Sequence, residues 1–216
     1  MKKLVIFDLD GTLLNTIADL AQAANYALQS LGFPVHEEEK YYSFVGNGIN
    51  KLLERALPQG QKNAENIQKM RALFVPYYDE HNTEFTCPYA GIEALLQQLQ
   101  QQGLKLAIAS NKYQSATEKL VRHYFPHISF VAIVGQREGI PVKPDPLFLK
   151  EILDLVRLPK QDILYVGDSD VDIQTAHNTQ IDVCAVTWGF RSRKELMENG
   201  PAFLVDKASD ILTVLS

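Results

Sequence analysis

Leu4-Val5-Ile6-Phe7-Asp8-Leu9-Asp10-Gly11-Thr12-Leu13-Leu14 is the stretch on which the reading of the whole chain depends. Leu4 to Phe7 form an apolar run too continuous to alternate, the pattern of a strand buried on both faces of a parallel sheet. Two carboxylates follow at its C-terminal end. Buried charge is costly unless it is paired or bound to metal, so Asp8 and Asp10 need a compensating partner. Gly11 lets backbone N–H groups turn toward an anion, and the Thr12 hydroxyl adds a donor. A polar turn closing a strand accounts for the same residues, so this stretch needs support from the rest of the chain.

The 216 residues suffice for one large or two small domains with a good core. A hydrophobic content of 46% and a charged content of 22% place the chain among soluble globular proteins. No apolar run approaches membrane-spanning length. Met1-Lys2-Lys3 before Leu4 to Phe7 superficially looks like a signal peptide, but Asp8 breaks the apolar stretch too early for export, so a cytoplasmic protein without a membrane partner is expected. Cys87 and Cys184 are read as reduced structural thiols. A formal net charge of −5 argues against a nucleic-acid surface. Oligomeric state is not legible.

Working outward, Ile17, Leu20, Ala24, Leu28 and Leu31 recur at helical spacing, with Thr16 as a candidate N-cap and Gly32 as a stop. Helical patterns continue through His36 to Phe44, Ile49 to Ala56 and Ile67 to His81, with Pro76 expected to kink or interrupt the last. No strand is visible there. From Tyr89 the pattern alternates: helix Ile92 to Leu99, strand Leu104 to Ala109, a helix around Leu120 and Val121, and strand Phe130 to Val134. The loop Pro141 to Pro146 then starts a helix through Phe148, Ile152 and Leu155. Strand Ile163 to Val166, a short helix to His177, strand Val183 to Thr187, a polar helix and an edge strand Phe203 to Val205 complete the chain. This predicts an α/β fold: a doubly wound parallel-sheet (Rossmann-like) core with a small all-helical cap domain inserted after the first strand. The expected boundaries are 1–14 and 86–216 for the core and 15–85 for the cap.

Ligands of such sheets bind beyond the C-terminal strand ends. Asp8 and Asp10, Ser110 and Asn111, and Asp168 to Asp172 all lie there, and the helical insertion is placed to act as a lid. Asp8, Asp10 and Asp168 would gather three acids at one edge, where repulsion demands a cation, and oxygen-only ligation favours Mg2+. Such an ion would relieve the repulsion between Asp8 and an incoming phosphate. Lys143 can neutralise phosphoryl oxygens and Asp8 from the other side, Ser110 can donate to those oxygens, and N–H groups after Asp8 and Ser110 can complete a cradle. Asp10 lies further out, placed to protonate a leaving alkoxide and then to deprotonate water. Each residue has a plainer explanation: a turn at Ser110-Asn111, a solvated loop at Lys143, helix caps at Asp168 to Asp172, packing for Trp188, a tight turn at Gly46-Asn47-Gly48. The histidines show no metal-ligand spacing. The plain explanations do not account for all four clusters falling in this order at strand ends.

Asp8-Leu9-Asp10-Gly11-Thr12-Leu13, Ser110-Asn111, Lys143-Pro144 and Gly167-Asp168-Ser169 with Asp172 resemble the four ordered motifs of the haloacid dehalogenase-like hydrolase superfamily. Within it, Asn15 to Leu57, with Val45-Gly46-Asn47-Gly48 and Leu53-Glu54-Arg55-Ala56-Leu57, is similar to the phosphoglycolate phosphatases. Asn15 stands where those enzymes often carry aspartate, a departure at the hinge between core and cap. The resemblance implies a phosphatase of a small phosphorylated metabolite, with Asp8 as nucleophile forming an aspartyl-phosphate and Asp10 as general acid and base. It further implies magnesium on the Asp8 and Asp168 side chains and the Asp10 carbonyl. Phosphate would be bound by Gly11, Thr12, Ser110, Asn111 and Lys143, with Asp172 supporting Lys143 or the metal shell. Gly46, Asn47 and Gly48 would face the substrate from the cap. A sugar phosphomutase, a pyrophosphatase or a dehalogenase on the same frame, and a regulatory domain phosphorylated on aspartate, are the competing readings.

Overall fold

The computed structural model describes residues 1–215. Strand β1 (Leu4–Phe7) leads through the two-residue strand β2 (Leu14–Asn15) into four helices, α1 (Ile17–Ser30), α2 (Glu38–Phe44), α3 (Ile49–Ala56) and α4 (Ala64–His81). Strand β3 (Cys87–Pro88) returns the chain to an alternating core: α5 (Ile92–Gln101), β4 (Lys105–Tyr113), α6 (Gln114–Tyr124), β5 (Phe130–Gln136), α7 (Lys150–Val156), β6 (Ile163–Gly167), α8 (Asp170–Thr179), β7 (Asp182–Val186), α9 (Arg193–Glu198) and β8 (Phe203–Val205).

Six strands form one parallel sheet in the order β5-β4-β1-β6-β7-β8. β1 occupies the middle, and its residues alternate between two cores. Val5 and Phe7 pack with Leu96, Ile108 and Leu120 on one face, while Leu4 and Ile6 pack with Phe148, Ile152 and Ile173 on the other. All four are fully buried. At about 1.5–3 kcal/mol for each buried side chain of this size, this short strand contributes heavily to the core. The chain winds away from β1 to one side through β4 and β5, then returns to the other side at β6. That reversal opens a crevice at the C-terminal end of β1.

The register sets the site. Phe7 lies level with Ile108 on β4 and Val166 on β6. Asp8 follows Phe7 directly, and Ser110 and Asp168 come two residues after Ile108 and Val166, so the register brings the three to one end of the sheet.

The helices α1 to α4 have their own apolar cluster, in which Leu20, Ala24, Tyr41, Leu53, Phe74 and Tyr78 are buried. They connect to the sheet through the antiparallel pair β2 and β3, with Leu14 opposite Pro88 and Asn15 opposite Cys87. Asp19 braces this ribbon by accepting from the Phe85 and Thr86 N–H groups and the Thr86 hydroxyl. Asn15, at the departure noted from the phosphoglycolate phosphatases, accepts from the Ile17 N–H at 3.4 Å.

Three local expectations need correction. Pro76 does not interrupt α4, which runs unbroken from Ala64 to His81; a proline removes one N–H, and Phe74 and Tyr78 on either side of it are buried in the cap cluster. Thr16 stands at the N-cap of α1 but makes no capping bond; its hydroxyl goes to Asp10 instead. Ser110-Asn111-Lys112 do not form a turn, because β4 continues to Tyr113 with an irregular register against β5 after Ala109. The two cysteines are free, Cys184 in the core and Cys87 exposed. Among the described residues, no helix is long and apolar enough to cross a membrane.

Candidate active site

Asp8 follows β1 directly, and its N–H donates to the Val166 carbonyl at 2.9 Å. Beyond it the chain folds back tightly: the Leu9 carbonyl accepts from Leu13 and Leu14, and the Gly11 N–H donates to the Leu14 carbonyl. Gly11 has a φ of 86°, and a Cβ there would lie 2.3 Å from Asp168 Oδ2. Only glycine admits the Asp168 carboxylate so close to this turn.

Asp168 leaves β6 just before α8. Its Oδ1 accepts from the Thr12 hydroxyl at 3.1 Å and its Oδ2 from the Phe190 N–H at 2.7 Å. Burial, followed by the charge of Asp172, pushes its carboxyl up to about 7 against the opposing effect of those two donors. Asp172 is fully buried and forms a reciprocal cap with Ser169, whose N–H and hydroxyl both donate to its Oδ2.

Lys143 comes from the proline-flanked loop and is buried. Its ammonium donates to the Ala109 carbonyl at 2.9 Å, the Tyr165 hydroxyl at 3.0 Å and Asp172 Oδ1 at 2.7 Å. It also lies 2.9 Å from Asp8 Oδ1. With its three N–H groups committed elsewhere, Asp8 Oδ1 stays buried without a hydrogen bond. Burial works against the lysine's charge, but Asp172 and Asp8 outweigh it and hold the ammonium well above its ordinary value. Burial drives the Asp8 carboxyl well above the carboxylate range; Lys143 opposes this, while Asp172, Asp168 and Asp10 add to it.

Asp8, Asp168 and Asp172 each bring a carboxylate oxygen within 4.8 Å of the others. Each oxygen of Asp172 already accepts two hydrogen bonds, Oδ1 from Lys143 and Tyr165 and Oδ2 from the Ser169 N–H and hydroxyl. Asp168 accepts one at each oxygen and Asp8 Oδ1 accepts none, so these two side chains keep lone pairs with which to hold an ion. Asp8, Asp10, Asp168 and Asp172 set against Lys112 and Lys143 leave the charge that one divalent cation balances. An all-oxygen set of this kind fits magnesium.

A model of the haloacid dehalogenase-like hydrolases matches residues 5–186, the interval that contains every carboxylate and lysine just described. The chain belongs to the haloacid dehalogenase-like hydrolases. Two curated phosphoglycolate phosphatases are similar over 99% of this chain and 96% of their own length, that of Aliivibrio fischeri at 34% identity and that of Vibrio parahaemolyticus at 31%. Among solved structures, one from Lactobacillus delbrueckii subsp. bulgaricus, provisionally assigned as a phosphoglycolate phosphatase, superposes with a TM-score of 0.92. That pair shares 34% identity over 100% of this chain and 99% of the other.

In this hydrolase, Asp8, Asp10 and Ser110 line one cavity beneath the helices, together with Gly46, Gly48 and Asn111. Other expected site residues are placed differently. The Gly11 and Thr12 N–H groups are bonded to Leu14 and Leu9, and the Thr12 hydroxyl serves Asp168, so neither faces a phosphate cradle in this conformation. Asn111 bridges instead: its amide nitrogen donates to the Gly46 and Lys143 carbonyls and its oxygen accepts from the Lys143 N–H. Asn47 lines the outer cleft beside Arg191 and not this cavity, and its Oδ1 accepts from Arg55 at 2.7 Å.

Several participants were not singled out from the sequence. Thr16 donates to Asp10 Oδ1 at 2.7 Å, and the buried Lys112 ammonium lies 3.1 Å from the same oxygen. Trp188, expected only to pack, donates its indole N–H to the Thr12 carbonyl, and a Cβ on Gly189 would lie 2.2 Å from that of Asp168. The position of Lys112 directly after Ser110-Asn111 was the one local signal for it.

Proposed function

We propose that the chain is a magnesium-dependent phosphatase of a small phosphate monoester, with phosphoglycolate the leading substrate and Asp8 the nucleophile. The single observation that carries this reading is Asp8: its Oδ1 is buried, without a hydrogen bond and beside Lys143, and the residue lines one cavity with Ser110. The segment 15–85 acts as a cap over the core formed by 1–14 and 86–216.

Asp8 attacks phosphorus, the bond to the leaving oxygen breaks, and an aspartyl-phosphate forms. Ser110 holds a phosphoryl oxygen through this step, and Lys143, whose three N–H groups are bound elsewhere, contributes its charge beside Asp8. Asp10 gives a proton to the leaving oxygen, then takes one from the water that attacks the aspartyl-phosphate. Asp8, Asp168 and the Asp10 carbonyl would hold magnesium, whose charge would let two anions approach. Asp172 fixes Lys143.

The similarity to curated phosphoglycolate phosphatases supports phosphoglycolate as the leading substrate.

A turnover screen with magnesium tests the reading, using phosphoglycolate, hexose phosphates, nucleotides, pyrophosphate and a halogenated acid. Phosphate release from phosphoglycolate, lost in Asp8→Asn and reversibly lost on chelation, is expected. Full activity of either depleted form overturns it, and release of halide or of an isomerised sugar phosphate assigns a different reaction. A phospho-aspartate that persists for hours turns the reading toward a regulatory domain.

A further inference from the structure

The cavity beneath the helices is walled on the cap side by Val45, Ile49, Leu52 and Phe74. Lys112 is its one cationic lining residue and is buried; Lys143, 2.9 Å from Asp8 Oδ1, does not line it. The Lys112 ammonium donates to the Tyr78 hydroxyl at 2.8 Å, lies over the same ring at 4.6 Å, and pairs with Asp10 Oδ1 at 3.1 Å. Tyr78 accepts in that bond, which leaves its own proton available to a further acceptor. It comes from α4 and Lys112 from β4, so the pair exists only when cap and core are together.

We propose that Lys112 and Tyr78 form the specificity-determining pair of the site, binding a carboxylate carried on the carbon next to the ester oxygen of the substrate. The inference rests on the phosphatase reading above. Its physical basis is the setting of Lys112, a buried ammonium among apolar walls that pairs with Asp10 Oδ1 at 3.1 Å. A buried charge is costly unless it is fully paired, and a carboxylate on the substrate supplies a second counter-ion inside the cavity.

Reach agrees with this. Asp10 Oδ1 is occupied by Thr16 and Lys112, which leaves Oδ2 for the leaving oxygen. An oxygen bonded there and the Lys112 ammonium would share the one Asp10 carboxylate, so a carboxylate one carbon from that oxygen is short enough to reach Lys112 without leaving the cavity. A neutral alcohol of equal size would leave Lys112 without an anion, and exclusion of that kind separates substrates more sharply than packing does.

The test compares kcat/KM for phosphoglycolate and ethyl phosphate, which match in carbon count and differ in charge. The wild-type chain should favour phosphoglycolate. Lys112→Met should lower that ratio about 30-fold, as expected when a charge-assisted hydrogen bond is lost, Lys112→Arg should recover most of it, and Tyr78→Phe should lower it several-fold. A residue that only orients Asp10 would depress both substrates by one factor and leave the ratio unchanged, which would overturn the proposal. Tyr78→Phe and Lys112→Arg carry the same comparison if Lys112→Met does not fold. A wild-type chain active on both substrates without preference refutes this inference and leaves the phosphatase reading intact. One inactive on every phosphate monoester removes both.

Discussion

The Lys143 ammonium donates to Asp172 Oδ1 at 2.7 Å, with both side chains almost wholly withdrawn from solvent. Asp172 is thus the counter-charge that holds Lys143 against the Asp8 carboxylate. Asp172→Ala should destabilise the fold by about 3–5 kcal/mol, the usual result of removing one partner of a buried ion pair. Asp172→Asn retains the shape and should lose less. Urea denaturation of the two variants measures the difference, and an alanine variant as stable as wild type would show that Lys143 draws its stability from its other partners.

Asp8 combines burial with an unbonded oxygen, so its charge strains the fold when no cation is present. Asp8→Asn should abolish turnover while raising, or at least not lowering, the thermal midpoint measured in chelator. A marked loss of stability in that variant would mean that the carboxylate supports the fold.

The Asp168 carboxyl is raised from an ordinary 3.8 to about 7. A carboxyl whose folded-state value lies above its unfolded one binds its proton more tightly when folded. The associated stability is complete below the unfolded value and is lost as pH rises through the folded one. Asp8 shifts in the same direction. Without magnesium, the thermal midpoint should therefore fall as pH is taken from about 5 to 8. Added magnesium should raise the midpoint more at pH 8 than at pH 5, because the ion needs the ionised carboxylates. Thermal scans in chelator and in excess magnesium check both slopes.

Arg191 joins core to cap. Its guanidinium donates to the Tyr42 carbonyl at 2.5 Å and the Val45 carbonyl at 2.7 Å, at the end of α2, while the Phe190 N–H beside it serves Asp168. A Cβ on Gly46 would come 3.1 Å from the same guanidinium. Arg191→Ala should speed proteolysis near the β2–β3 ribbon and lower kcat/KM about tenfold, the loss expected for a hydrogen bond to a charged group. Unchanged proteolysis and kinetics would show that Asn111 and Tyr78 hold the cap without it.

Much of the architecture was legible along the chain. Leu4 to Phe7, Ile163 to Val166 and Phe203 to Val205 read as strands because a buried strand needs a local run of apolar side chains, and they form strands. The break in pattern between Phe85 and Tyr89 marked the return to the sheet for the same reason, although the two-residue strand Cys87–Pro88 was too short to leave a signal. Pro76 misled, because a local propensity was overridden by packing on both sides of it.

The sequence by itself determined the strand order along the chain, the helical insertion and the acids and lysine that stand at strand ends, since apolar periodicity and the cost of buried charge act on neighbouring residues. Only the tertiary structure decided which of those groups bond to one another. It turned Thr12 toward Asp168, Asn47 toward Arg55 and Asn111 toward Gly46 and Lys143, and it brought Lys112 to Asp10 and Tyr78. Those choices follow from strand register and from the seating of the helices on the sheet, which are set by contacts between residues far apart in the chain.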